Sequence, residues 1–409
     1  MNNGIKNLSL QNAVCEPEKI LPVSAECDVL VCGGGIAGTA AALAAARNGA
    51  KVLLCEREYM PGGLATAGLV TTYLPICDGC GRQVSFGIAE ELLKLSVKNG
   101  TEGSRCVWLD GTAEERKEKR YQVQFNANLY ALNCESLLLE NGVKILYGTV
   151  CCGAIKEDNR ITHIITENKS GRSAISVKSV IDCTGDADIC ALAGEDTVLF
   201  RQGNLPAAWY YSVKDGKYAF NVVGCCDKPD KYKTPEQLER GKQQLRFTGT
   251  DAEELSDITV HTHKMLLDDF LSKGGDGTKE KALACIGTIP QVRMSRRLDG
   301  VCTPDDTDMH KFFADSAGLF SDWRRKGPVY ELPFDSLRGR KIKNLLTAGR
   351  CISCTEAMWD ITRVIPVCAV SGEAAGTAAA MYDSFDGIDI KALQQKLREN
   401  GVVLHEEEL

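Results

Sequence analysis

Residues 27–56, CDVLVCGGGIAGTAAALAAARNGAKVLLCE, restrict the possible folds more than any other stretch of the chain. From Val29 to Ala46 no residue is charged, a run about as long as a membrane-spanning helix. Three adjacent glycines, Gly33, Gly34 and Gly35, break that helix, because glycine inside a helix costs roughly 1 kcal/mol relative to alanine. A GxxxG helix-pairing reading fails for the same reason, since it needs unbroken helix facing lipid. The run resolves instead into a strand over Asp28–Cys32, a glycine turn, an alanine-rich helix over Ile36–Asn48 and a second strand over Lys51–Cys55.

This is a βαβ unit with G-x-G-x-x-G at Gly33, Gly35 and Gly38, and with Glu56 closing the second strand 23 positions after Gly33. Gly33 permits the tight turn, Gly35 lets a pyrophosphate approach the backbone, and Gly38 lets helix and strand pack closely. The helix amino end offers unpaired N–H groups and partial positive charge to phosphates, and Glu56 is placed to accept from ribose hydroxyls. A dinucleotide site is expected here.

Composition narrows the partners. A formal net charge of -7 over 409 residues provides no electrostatic footprint for nucleic acid, and no basic cluster is dense enough for a membrane surface. The amino-terminal MNNGIKNLSLQNAVCEPEKILPVSAE lacks a basic region followed by an apolar one, which predicts a cytoplasmic protein. Nineteen cysteines, odd in number and scattered, are then expected as reduced, mostly buried thiols. The length suits two domains, or one large α/β domain with an insertion.

Later segments bear on the cofactor. REYMPGGLATAGLV supplies a second glycine pair, Gly62 and Gly63, beside Thr66 and Gly68. Residues 142–194 alternate in strands with turn signals at Glu157–Arg160 and Lys169–Gly171, a β-meander, and end in an apolar strand over Ser179–Cys183 followed by Thr184-Gly185-Asp186. IKNLLTAGRCIS gives a strand over Asn344–Ala348 and then Gly349-Arg350, and a helix is predicted to begin near Ser371-Gly372.

These four stretches, in this order, resemble the FAD-dependent oxidoreductases of the glutathione reductase and fumarate reductase flavoprotein superfamily, bacterial branch. The resemblance covers roughly residues 20–75, 125–195 and 285–401. It implies an α/β fold, an FAD-binding Rossmann-like domain of ββα type with a β-meander, plus a mixed α+β cap or substrate domain. It also implies FAD as cofactor. Gly33, Gly35, Ile36, Ala37 and Gly38 would cradle the pyrophosphate, and Glu56 with Arg57 beside it would hold the adenosine end. Gly63, Leu64 and Thr66 would run along the pyrophosphate and flavin. Val150 would present its backbone to the adenine, Thr184 and Gly185 would close that side, and Gly349 and Arg350 would approach the ribityl and phosphate. The helix starting near Gly372 would aim its positive end at the flavin.

The expected organisation is a discontinuous FAD domain of residues 20–75, 125–200 and 340–385, cap segments 76–124 and 200–335, and a carboxy-terminal helix and tail over 386–409. In the first cap segment SFGIAEELLKLSVKNG predicts a helix, and GTAEERKEKR reads as a solvated charged face. No second G-x-G-x-x-G follows a strand, so electrons would come from the substrate or a separate carrier. The leading reading is an oxidoreductase moving hydride between a small organic substrate and flavin; the alternatives are a non-catalytic flavin-fold binding protein and a flavin-dependent monooxygenase.

Catalytic candidates come from two stretches where the resemblance is imperfect. In QVRMSRRLDG, Arg293, Ser295, Arg296 and Arg297 keep a family run, but Met294 replaces its acid. In ISCTEAMWDITRVIPV, Arg363 matches a family arginine and Glu356 stands where a histidine is frequent. Arg363 is the first choice to anchor substrate, Arg296 the second, and Glu356 a candidate general base; the competing reading for both arginines is an ion pair. Tyr73, Asp78 and Arg82 are further pocket candidates. The pairs Cys77/Cys80 and Cys351/Cys354 have metal or redox spacing, yet among so many cysteines they read as buried small hydrophobes, and no metal site is expected.

Overall fold

The computed structural model describes residues 14–99, 112, 114, 123–224 and 227–409. Its central sheet is built outward from the glycine turn. Strands β1 (Val23–Cys32) and β2 (Val52–Cys55) run parallel, with Cys32 opposite Cys55, and β3 (Lys144–Leu146) extends the sheet beyond β2. On the other side of β1 comes the meander of β4 (Val150–Glu157), β5 (Arg160–Asn168) and β6 (Gly171–Asp182). With β7 (Leu345–Thr347) pairing parallel to the end of β6, the order is β3-β2-β1-β6-β5-β4. The turn between β4 and β5 carries Asp158 at φ 45 and Asn159 at φ 62, the left-handed pair that a tight two-residue hairpin demands.

β1 starts five residues before the expected Asp28, because Val23 and Ala25–Cys27 pair with residues 174–177 of β6. That extension is mostly exposed and carries Glu26, so no apolar pattern marked it. Helix α1 (Ile36–Arg47) matches the predicted span to within one residue, and Asn48 caps it through its side-chain amide to the Ala44 oxygen at 2.8 Å.

The apolar character of α1 has a packing cause. Every residue from Ile36 to Ala45 is buried, and the helix lies against α5 (Ile365–Met381; α4 is the preceding Glu356–Thr362). A Cβ on Gly372 would sit 2.3 Å from the Ala37 oxygen and one on Gly376 2.2 Å from the Ala41 oxygen, so the two backbones touch. Larger side chains on α1 would force these helices apart, at about 1–3 kcal/mol per overpacked site. Among the described residues no single helix is long and apolar enough to cross a membrane, and α4 with α5 qualifies only as a pair bent by 91°.

Helix α2 (Ile88–Val97), the helix predicted in the first cap segment, packs in the same core through Ile88, Leu92 and Leu93. The charged GTAEERKEKR stretch lies outside the described residues apart from two isolated positions. Glu373 of α5 caps α2, its carboxylate oxygen accepting from the Ile88 N–H at 2.8 Å. Burial pushes the Glu373 carboxyl up to about 8. A raised folded value favours the protonated acid, so its contribution is fully present below the ordinary carboxylate range and is lost as pH rises through about 8. We expect wild-type Tm to fall across that window and Glu373→Gln to flatten the fall; parallel Tm-versus-pH curves for the two proteins would refute it.

Within residues 200–335 an antiparallel hairpin, Ala207–Lys214 with Lys217–Gly224, lies beside strand Leu283–Ile286, and α3 (Ala252–Ser272) covers one face. Tyr210, Val223, Leu266 and Phe270 form the apolar contact, and the Tyr210 hydroxyl donates to Asp269 at 2.7 Å. Asp251 starts α3 by accepting from the N–H groups of Glu253 and Glu254. Helix α6 (Ile390–Glu399) ends at Asn400 with Gly401 at φ 87, the predicted glycine stop.

Candidate functional site

A cleft of about 770 Å³ opens where the carboxyl ends of β1, β2 and β6 meet the amino end of α1. At its floor is the glycine turn. Gly33 has φ 104, and a Cβ there would come within 2.5 Å of the Cys183 oxygen. On Gly38 a Cβ would fall 1.8 Å from the Gly33 oxygen, whereas on Gly35 it would meet nothing within 4 Å. The first glycine therefore serves the turn, the third serves helix packing, and the middle one leaves open space facing the cleft. No side chain caps α1, so its first N–H groups, which have no intrahelical acceptor, are available to an anion.

Glu56 lines the cleft at the end of β2. Its carboxylate accepts from the Gly34 N–H at 2.6 Å and the Glu58 N–H at 2.8 Å, and burial raises its pKa despite both donors. Each oxygen keeps acceptor capacity for a ribose hydroxyl. Arg57 and Val150 line the same end, both with exposed side chains, as do Thr184 and Gly185. The Thr184 turn is held from below by buried Asp182, which accepts from the Thr184 N–H at 3.1 Å, its hydroxyl at 2.7 Å and the Cys190 N–H at 3.0 Å.

Of the other predicted cofactor residues, Thr66 and Gly349 act from behind the wall. Gly63 and Leu64 line the cleft, but the Thr66 hydroxyl turns inward to the Pro61 oxygen at 2.6 Å and shapes the loop. Gly349, at φ 82, packs on α1, where a Cβ would lie 2.6 Å from that of Ala37. Arg350 lines the cleft while tied to the Gly185 oxygen at 2.7 Å and Asp186 at 2.6 Å, joining the β6 turn to the β7 turn.

One expectation needs correction. The helix that meets the cleft begins at Ile365, not near Gly372; Pro366 occupies its first turn, where proline's fixed φ and missing N–H suit a helix start. Gly372 lies mid-helix in the α1 contact. Ile365 and Cys368 line the cleft, and Val364 provides no side-chain cap, so α5 does bring an uncapped amino end to the site.

Arg363 lines the cleft with its guanidinium 2.5 Å from Asp360, which in turn stands 3.7 Å from Arg324. Arg296 and Glu356 are not among the lining residues: Arg296 pairs with Asp188 at 2.6 Å, the competing ion-pair reading, and Glu356 accepts from the Arg201 N–H at 3.0 Å. Tyr73, Asp78 and Arg82 also lie elsewhere; Tyr73 is buried with its hydroxyl on the Ala89 oxygen, and Asp78 holds Arg82, which reaches Glu406. Cys351 and Cys354 are buried, and Cys351 donates to the Asp182 oxygen at 3.4 Å. Among the described residues no group of three His, Cys, Asp or Glu side chains could hold a metal.

Some lining residues had no motif to mark them. Leu255, Ser256, Thr259 and Val260 of α3 form the wall opposite the glycines, and Thr288, Ile289, Pro290 and Val292 continue it. Asp188 also faces the cleft, its carboxyl raised to about 6 by burial and by the neighbouring carboxylates of Asp186 and Asp182 against the pull of Arg296.

A family model described as FAD dependent oxidoreductase matches residues 28–207 and 202–397. A thioredoxin reductase from Ureaplasma parvum serovar 3 is 23% identical over 169 residues, 37% of this chain and 52% of that protein. The probable electron transfer flavoprotein-quinone oxidoreductase YgcN of Escherichia coli strain K12 is 51% identical over 43 residues, 10% of each chain. The matches thus span about half and about a tenth of these curated relatives. A geranylgeranyl bacteriochlorophyll reductase-like structure from Thermoplasma acidophilum aligns with 14% identity and a TM-score of 0.46, covering 92% of this chain and 82% of that one.

Proposed function

The chain belongs to the FAD dependent oxidoreductase family, with FAD as its cofactor, and from that premise we propose that it moves hydride between a small organic substrate and the flavin. The observation that carries this reading is continuity: the cleft that starts at Glu56 and the glycine turn runs on to Arg363, Ile365 and the α3 wall without leaving the cavity. Bound FAD supplies reversible two-electron chemistry. The protein's own groups supply the rest. Uncapped N–H groups of α1 would hold the phosphates, Glu56 would accept from the ribose, and the amino end of α5 would offer its partial positive charge to the flavin. Val260, Ile289, Pro290 and Val292 exclude water from the substrate, and Arg363, steadied by Asp360, fixes its polar end.

The single G-x-G-x-x-G supports an electron route through the substrate itself or a separate carrier, and the many free thiols suit a reducing cytoplasm. The test is direct. Purified protein is expected to be yellow, and under anaerobic conditions its flavin is expected to bleach or reoxidise with at least one member of a panel of small acids, amines and enones. A yellow protein inert to the panel and to artificial electron donors would favour a non-catalytic binding role. Arg363→Met should slow the bleaching ~10- to 100-fold with bound flavin unchanged, from the ~1.5–3 kcal/mol of a hydrogen bond to a charged group. Equal rates in the two proteins would remove Arg363 from the substrate site.

A further inference from the structure

We propose that Cys151, Cys32 and Cys55 form an oxidisable thiol site at the nucleotide end of the cleft, and that a disulfide from Cys151 to either partner bars FAD from loading. Cys32 and Cys55 are the last residues of β1 and β2, register partners on adjacent parallel strands, and both are buried. The chain entering β4 crosses directly over those strand ends, pinned by the Glu56 N–H to the Leu146 oxygen at 2.9 Å and the Thr149 N–H to the Glu56 oxygen at 3.0 Å. This crossing packs Cys151 against the buried cluster that holds Cys32 and Cys55. All three line the cleft, and Cys151 alone among them is partly exposed.

The three sulfurs are not equivalent. Interaction with Cys151, then burial, raises the thiol pKa of Cys32 and Cys55, and the same interaction lowers that of Cys151 against the opposing effect of burial. Cys183 and Cys368, the remaining cleft thiols, are held protonated by burial. Cys151, partly exposed in the cleft while Cys32 and Cys55 are buried, is the sulfur an oxidant reaches first, and its neighbours are the resolving thiols.

With a hydroperoxide as oxidant the step balances. The Cys151 sulfur attacks the peroxide oxygen, the O–O bond breaks and hydroxide leaves, giving a sulfenic acid; a strand-end thiol then attacks that sulfur and expels its hydroxyl as water. Two thiols are oxidised, one hydrogen peroxide is reduced, and the two thiol protons finish in two waters. Closing a thiol contact to an S–S bond of ~2.05 Å draws the start of β4 onto the strand ends, displacing Val150 and the turn at Glu56 where the nucleotide would bind. FAD bound in this cleft would cover Cys151 and exclude the oxidant, so loading would protect the thiols and oxidation would oppose loading.

Flavin-stripped and flavin-loaded protein would be treated with a small molar excess of hydrogen peroxide, the cysteines mapped by mass spectrometry and FAD rebinding measured by flavin fluorescence. The expected result in the stripped protein is a disulfide from Cys151 to Cys55 or Cys32 with at least a tenfold loss of FAD affinity, reversed by a dithiol; the loaded protein shows neither. In Cys151→Ser, peroxide should leave the variant's own FAD affinity unchanged. A stripped wild-type protein whose Cys151 stays free, or whose Cys151 disulfide leaves FAD affinity intact, overturns the proposal, and that mapping does not depend on the variant folding. Because neither readout involves a substrate, failure to find one would leave this result standing.

Discussion

Gly38→Ala protein should come out colourless and markedly less stable, whereas Gly35→Ala should come out colourless but folded. The two glycines lie three residues apart, yet the space around them differs. A Cβ at position 38 would lie 1.8 Å from the Gly33 oxygen and 2.9 Å from its carbonyl carbon, both backbone atoms of the turn. The only relief is to lift α1 off β1, and α1 is already in backbone contact with α5. A loss of ~3 kcal/mol or more is expected, at or beyond the upper end for overpacked cores. At position 35 the backbone is ordinary, φ -63, and the added methyl meets no protein atom; it projects into the space assigned to the pyrophosphate. Thermal melts together with the ratio of visible flavin absorbance to protein absorbance separate the cases. Full flavin content in Gly35→Ala would mean that the phosphates do not pass over the turn.

Glu56→Arg is the second large effect. The environment of Glu56 predicts damage to both FAD binding and fold. The side chain is 6% exposed and accepts two backbone N–H groups, from Gly34 and Glu58. A guanidinium there would set donor against donor and bury an unpaired cation, a change in the range of ~3–5 kcal/mol. Glu56→Gln is the cleaner probe: it keeps shape and one acceptor oxygen, and should weaken FAD ~10-fold with a modest fall in Tm. Flavin titration of the two variants decides the matter. A glutamine variant that binds FAD as wild type would take Glu56 out of the ribose contact and leave it a structural acceptor for the turn.

What could be read in advance follows from how local each signal is. The β1–α1–β2 unit and the meander turns were legible because alternation, glycine and the Asp158-Asn159 pair act within a few residues. The start of α5 was not, because Pro366 reads as a stop in a linear pattern and as a first-turn residue only when the chain before it is extended. Gly372 was recognised as special for the wrong reason: its missing side chain serves Ala37 on another helix, a contact between residues more than three hundred positions apart. Arg296 and Arg363 look alike in sequence, and both are ion-paired as the competing reading has it, but only folding pairs one with Asp188 and brings the other, paired with Asp360, to the cleft wall. The α3 wall and the Cys151 crossing were silent because neither is a motif; each arises where distant segments pass one another.

The backbone contact between α1 and α5 bears on how a substrate gets in. The two helices that present their amino ends to the cleft are seated on each other through Gly372 and Gly376, with no side-chain layer to act as a lubricant. They behave as one rigid jaw. Any movement that admits or releases a ligand would therefore fall to the other cleft-lining segments, α3 and residues 288–292.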